Sequence, residues 1–113
     1  MTLKIQTKTT EGITVVTCVG RIVFGEESSG LRADLKRILA TSKTVVLNLS
    51  EVSYIDSGGL GMLVGVYSSA RAAGADIKLC GLGHRVRDVL QITKLATVFE
   101  VYDSEEKAVA AFH

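Results

Sequence analysis

The succession strand, strand, helix, strand, helix, strand, helix, strand, helix predicts an α/β fold, a single domain with a mixed β-sheet of about five strands and about four helices. Three observations carry this expectation. Thr44–Leu49 is a short, nearly continuous apolar run, as expected of a central strand covered on both faces. A helical pattern over 57–73 then separates it from a second such run, Ala75–Cys80, and a strand–helix–strand span of this length implies a right-handed crossover between parallel strands. The 113 residues include no proline and show no repeat or low-complexity tract, so one core without internal linkers is expected over 1–113.

The chain opens with alternating Leu3–Thr9, followed by the β-branched run Ile13–Val19, with Glu11-Gly12 between them; this reads as an antiparallel hairpin. From Ser29 to Ala40, Leu31, Leu35, Ile38 and Leu39 recur at helical spacing among Arg32, Asp34, Lys36 and Arg37, giving an amphipathic first helix. After the central strand, a second helix runs from Ser57 to about Ala73. Leu60, Leu63, Val64 and Tyr67 form its apolar stripe, and Ala73-Gly74 supplies its stop. Ala75–Cys80 returns as a strand, and Val86, Val89, Leu90 and Thr93 mark a short third helix. Val98–Tyr102 gives a last strand. Asp103-Ser104-Glu105-Glu106 resembles a helix cap with an acid three residues on, leading into a final helix that ends near Phe112.

Composition narrows the function classes. Thirteen basic and twelve acidic residues leave a net charge of +1, so no global field draws in nucleic acid or an anionic membrane. Residues 1 to 20 alternate apolar and polar positions and suit neither a signal peptide nor a membrane span, so a cytoplasmic location without membrane insertion is expected. Cys18 and Cys80 fall in separate strands and read as buried, reduced packing residues. His84 and His113 form no ligand cluster, and neither a metal nor a cofactor is expected.

The segment Tyr54-Ile55-Asp56-Ser57-Gly58-Gly59-Leu60-Gly61 is the most informative part of the chain. Asp and Ser are both good N-caps, so one of them serving simply as a cap is the plain explanation. Three glycines in one helical turn nevertheless cost roughly 1 kcal/mol each relative to alanine, so something other than helix propensity favours Gly58, Gly59 and Gly61. Glycine permits close approach and leaves the Ser57 hydroxyl uncovered. A phosphate on Ser57 would meet unpaired N–H groups and the positive helix end, while adding a charge of about −1.5 to −2 beside Asp56. The fold would tolerate that charge; a partner packed against the turn would have to desolvate it. Gly58, Gly61, Gly65, Ser68 and Ala72 also form a stripe of small residues, open to either tight internal packing or docking, with Met62 and Val66 offset from it.

Over essentially its full length, and most specifically over residues 45–64, the chain resembles the STAS domains of bacterial anti-sigma factor antagonists, whose signature places Asp-Ser before Gly-Leu-Gly. The resemblance implies that Ser57 is the phospho-acceptor, with Asp56, Gly59 and Gly61 supporting it; many relatives have Ser, Thr or Ala at Gly58, whose support comes from its lack of bulk. It implies an anti-sigma factor that is also a serine kinase as partner, and a serine phosphatase that reverses the modification. Gly20-Arg21-Ile22-Val23-Phe24 matches a second partner-contacting region, so Arg21 and Phe24 are expected contacts, joined on the second helix by Leu60, Met62 and Val66. Relatives often carry an acid where this chain has Val23, and Asp-Leu-Ser where it has Asn48-Leu49-Ser50.

Other chemistries find little purchase. No phosphate-binding loop of the Gly-x-x-x-x-Gly-Lys-Ser/Thr type is present, Gly59-x-Gly61 lacks a third glycine, and no Gly-x-Ser-x-Gly elbow surrounds Ser57. A non-enzymatic switch is therefore expected. The alternatives are a scaffold or small subunit of a membrane-transport assembly, in which Ser57 is structural, and a hydrolase acting through Ser57. His84, Arg85, Arg87 and Lys94 make the third helix locally basic, either as a solvated face or as a seat for an anion or an acidic partner.

Overall fold

The computed structural model describes residues 3–95 and 97–113. β1 (Lys4–Thr10) and β2 (Ile13–Ile22) form the expected hairpin, in which Thr10 pairs with Ile13. Glu11 and Gly12 both have positive φ, 51° and 80°, as a two-residue turn matched to the strand twist requires. α1 (Glu26–Leu39), β3 (Thr44–Ile55), α2 (Ser57–Ala72), β4 (Asp76–Cys80), α3 (His84–Ile92), β5 (Val101–Tyr102) and α4 (Glu105–Ala110) follow. The sheet order is β1-β2-β3-β4-β5, antiparallel only between β1 and β2.

Alternation along the inner strands sorts side chains between two cores. Val16, Cys18, Val45 and Leu47 join Leu31, Leu35, Leu60, Leu63, Val86 and Leu90 of α1, α2 and α3 in the larger one. Val15, Val46 and Cys80 face the opposite way, onto Ala108 and Val109 of α4. Both cysteines are free and buried; burial pushes the Cys18 thiol up to about 12 and, with help from Glu105 and Glu106, that of Cys80 up to about 11. Lys78, only 5% exposed, stands on β4 and donates to Asp76 (3.1 Å) and Glu100 (3.0 Å), with its ammonium 4.7 Å from the centre of the Phe112 ring. Burial alone would lower its pKa; the hydrogen bonds to Glu100 and Asp76 outweigh it, and the net direction is up.

β2 runs three residues past Val19, to Ile22, and four further departures from the sequence expectations have a local cause. The central strand does not stop at Leu49 but continues to Ile55. Thr17 pairs with Asn48 and Val19 with Glu51, and then Gly20 pairs with Val52 and Arg21 with Tyr54, so β3 twice inserts an extra residue. These bulges break the alternation, and burial beyond Asn48 falls on Leu49, Val52 and Ile55. α1 starts a turn earlier than Ser29, at Glu26, because Glu26 and Glu27 favour the positive helix end although no apolar residue marks that turn. β5 shrinks to Val101–Tyr102: the Val98 N–H turns back to Leu95, and Phe99 leaves the strand to pack edge-on against Tyr67 at 5.1 Å. α4 is capped by Ser104, which accepts from the Lys107 N–H at 3.2 Å, so the acid three residues after Asp103 plays no capping part.

α2 ends as its sequence suggested. Gly74 has φ 83°, its N–H bonds to Arg71, and the Ala75 N–H reaches Ala70 at 2.8 Å, closing a Schellman turn.

Candidate functional site

The parallel strands β2 and β3 end level with one another, Ile22 opposite Ile55, and their exits build one surface at the carboxyl end of the sheet. Asp56 organises it. Its extended backbone makes it the N-cap of α2, and one carboxylate oxygen accepts the Gly59 N–H at 2.7 Å. The same carboxylate accepts the Phe24 N–H of the β2–α1 loop at 3.0 and 3.1 Å, while the Asp56 N–H donates to the Ile22 carbonyl at 3.2 Å. One aspartate therefore ties the two loops together.

This arrangement divides the work between the two expected caps. Asp56 takes the capping role, and Ser57 stands at the first helical position, exposed to solvent. The first turn of α2 carries no acidic side chain, so beyond the cap its positive end is electrostatically open.

The three glycines have different causes. A Cβ on Gly59 would lie 2.2 Å from the Ile22 carbonyl oxygen and 2.8 Å from its carbon; only hydrogen fits there. On Gly58 it would lie 2.6 Å from the Cβ of Phe24, whose side chain covers that position. At Gly61 it would meet nothing within 4 Å. The backbone that closely approaches the turn is thus the chain's own β2 end.

The expected contact residues separate in the same way. Phe24 is 80% exposed, unusual for a phenylalanine, and Arg21 is exposed beside it along the chain. Leu60 and Val66 are not available to a partner: they are 1% and 3% exposed, because the face of α2 that bears them packs into the larger core with Leu63 and Ala70. Met62 is half-buried against that core. Gly61, Gly65, Ser68 and Ala72 line solvent, so their small size is not a demand of internal packing.

Sequence reasoning missed a neighbouring feature. The second bulge leaves Ser53 and Tyr54 both outside the core, between buried Val52 and Ile55. With Arg21 and Arg85 they line an open depression of about 430 Å³. The irregular pairing that creates it has no signature in residue type. His84, Arg85 and Arg87 are exposed in the first turns of α3, whose N-cap, Gly83, supplies no side-chain bond. Among the described residues no group of three His, Cys, Asp or Glu side chains is placed to hold a metal, and no helix is long and apolar enough to cross a membrane.

Residues 4–108 match the STAS domain family. BtrV of Bordetella bronchiseptica, named as a candidate anti-sigma factor antagonist, is 31% identical over 99 residues, covering 87% of this chain and 85% of that protein. The anti-sigma-B factor antagonist of Bacillus subtilis is 30% identical over 79 residues, covering 70% of this chain and 72% of its own. Among solved structures, the anti-sigma factor antagonist SpoIIAA in its unphosphorylated form superposes with a TM-score of 0.78 at 20% identity, covering 96% of each chain. The Bacillus SpoIIAA in its phosphorylated form gives 0.72 at 20% identity over 97% of this chain and 100% of that one. The five-stranded mixed sheet, the Asp56-capped turn and these matches lead to one conclusion: the chain belongs to the STAS domain family, among relatives named as anti-sigma factor antagonists.

Proposed function

We propose that this protein is a non-enzymatic partner switch: unmodified, it binds an anti-sigma factor that is also a serine kinase, and phosphorylation of Ser57 blocks that binding until a serine phosphatase removes the phosphate. The observation that carries the reading is the division of labour at the turn. Asp56 caps α2 and holds Phe24, which leaves the exposed Ser57 hydroxyl with no capping duty. A phosphoryl group on Ser57 lies at a helix N-terminus whose first turn has no acid, and the fold accommodates it. A partner surface closing over Phe24 and Ser57 meets a near-dianion beside a carboxylate and cannot desolvate the pair.

The names of the relatives support an anti-sigma factor as the partner, and the two SpoIIAA structures support a fold that persists in both phosphorylation states. The test is affinity recovery from source-organism extract with wild-type protein and Ser57→Asp in parallel. An anti-sigma factor kinase held by wild type and lost by the variant is expected. Equal recovery by both would make Ser57 structural and favour a constitutive scaffold.

A further inference from the structure

The depression lined by Arg21, Ser53, Tyr54 and Arg85 draws on three elements: the end of β2, the bulged end of β3 and the first turn of α3. Its donors are uncommitted. Neither arginine takes part in an ion pair among the described residues, although Glu51 and Asp88 stand on the same elements as the lining residues. The Ser53 hydroxyl donates to the Gly20 carbonyl at 3.4 Å, so it forms wall rather than donor, and Tyr54, 37% exposed, is the third lining residue with a polar hydrogen to give.

We propose that this depression is a carboxylate-accepting part of the docking surface, and that the partner presents an Asp- or Glu-bearing segment to it. The proposal rests on the partner-switch reading for its place in the interface. A guanidinium fork pairs with a planar carboxylate through two parallel hydrogen bonds, and arginine and tyrosine are among the residue types enriched at the positions that carry most binding energy in protein interfaces. The site is open toward solvent, which suits a side chain delivered by a facing protein surface. It is also continuous with the Phe24 loop, since Arg21 precedes Ile22, whose carbonyl receives the Asp56 N–H. With a net charge of only +1, attraction for an acidic partner comes from this local pair of arginines and not from the whole molecule.

The experiment has two arms. In the first, the full chain, labelled with ¹⁵N, is titrated with a blocked tetrapeptide of alternating Asp and Glu, with its Asn/Gln counterpart, and with inorganic phosphate. Saturating amide shifts centred on Arg21, Tyr54 and Arg85 are expected with the acidic peptide only, and the double variant Arg21→Gln/Arg85→Gln should weaken them roughly tenfold or more. Absence of localised shifts, or equal shifts with phosphate, overturns the proposal, the latter in favour of a small-anion site. In the second arm, the anti-sigma factor recovered with wild-type protein is measured against the double variant. A loss of roughly tenfold or more, with weaker dependence on salt, is expected. Wild-type affinity in the double variant, with release by Ser57→Asp intact, overturns the subsite and leaves the switch standing. If the switch itself fails, the peptide titration still decides the subsite.

Discussion

Replacing Gly59 with alanine tests the account of the turn where it is sharpest. The new Cβ would stand 2.2 Å from the Ile22 carbonyl oxygen and 3.0 Å from the Ile22 Cγ2. Relief requires the N-terminus of α2 to move away from β2 by nearly 1 Å, because that neighbour is strand backbone. Overpacking of this kind costs about 1–3 kcal/mol. The same displacement lengthens the 2.7 Å bond from the Gly59 N–H to Asp56, a cap contact worth about 1–2 kcal/mol. Against these stands a gain of about 1 kcal/mol in helix propensity. The net expectation is destabilisation by about 1–4 kcal/mol. Gly61→Ala, where a Cβ meets nothing within 4 Å, keeps only the propensity gain and should be stabilised by about 0.5–1 kcal/mol. Urea denaturation of both variants, with the slope checked for constancy, gives the two signs directly. If Gly59→Ala is as stable as Gly61→Ala, the close packing of α2 on the end of β2 is wrong.

Asp56→Ala should lose about 1–2 kcal/mol by the same assay, and Asp56→Asn, which keeps an acceptor for Gly59 or Phe24, should recover most of it. Phe24→Ala, at an exposed position, should change stability by no more than about 0.5 kcal/mol, yet calorimetry with the anti-sigma factor partner should show affinity reduced about tenfold or more. Acid should destabilise the fold through Glu100 and Glu105. Hydrogen bonds from Lys78 and Tyr102 hold the first below its ordinary value of 4.5, and a hydrogen bond from Lys8, with one from Asn48, holds the second below it. Because both are lowered on folding, their contribution is complete above about pH 4.5 and is lost as the pH falls through the folded values; Glu100→Gln/Glu105→Gln should flatten that fall. Neither Cys18 nor Cys80 should react with a disulfide reagent at pH 8 in the native protein, and both should do so in denaturant.

What the sequence made legible was whatever a single periodicity or turn rule controls. The Glu11-Gly12 hairpin, the two-sided burial of Thr44–Leu49 and the Gly74 stop each follow from local chemistry, and each stands in the structure. Ser57 and Asp56 were legible as a pair, but their separate roles depend on Phe24, 32 residues from Asp56 in the chain. Leu60 belongs to the apolar stripe and Val66 lies offset from it, and neither pattern settles which can face a partner; packing of α2 against α1 and β4 turns both inward. The extension of β3 was illegible for a related reason. Its bulges change the burial period from two to three after Asn48, so no alternating pattern marks Ser50–Ile55 as strand.

Asp56 is a shared acceptor, and that sharing fixes how the surface behaves in time. The Phe24 and Gly59 amides depend on one carboxylate, so an excursion that withdraws it frees the β2–α1 loop and unwinds the start of α2 in a single event. The two segments breathe as one unit with one opening free energy. The shared acceptor also couples the two stretches chemically: a substitution in the loop that displaces the Phe24 amide alters the carboxylate on which the Gly59 amide depends.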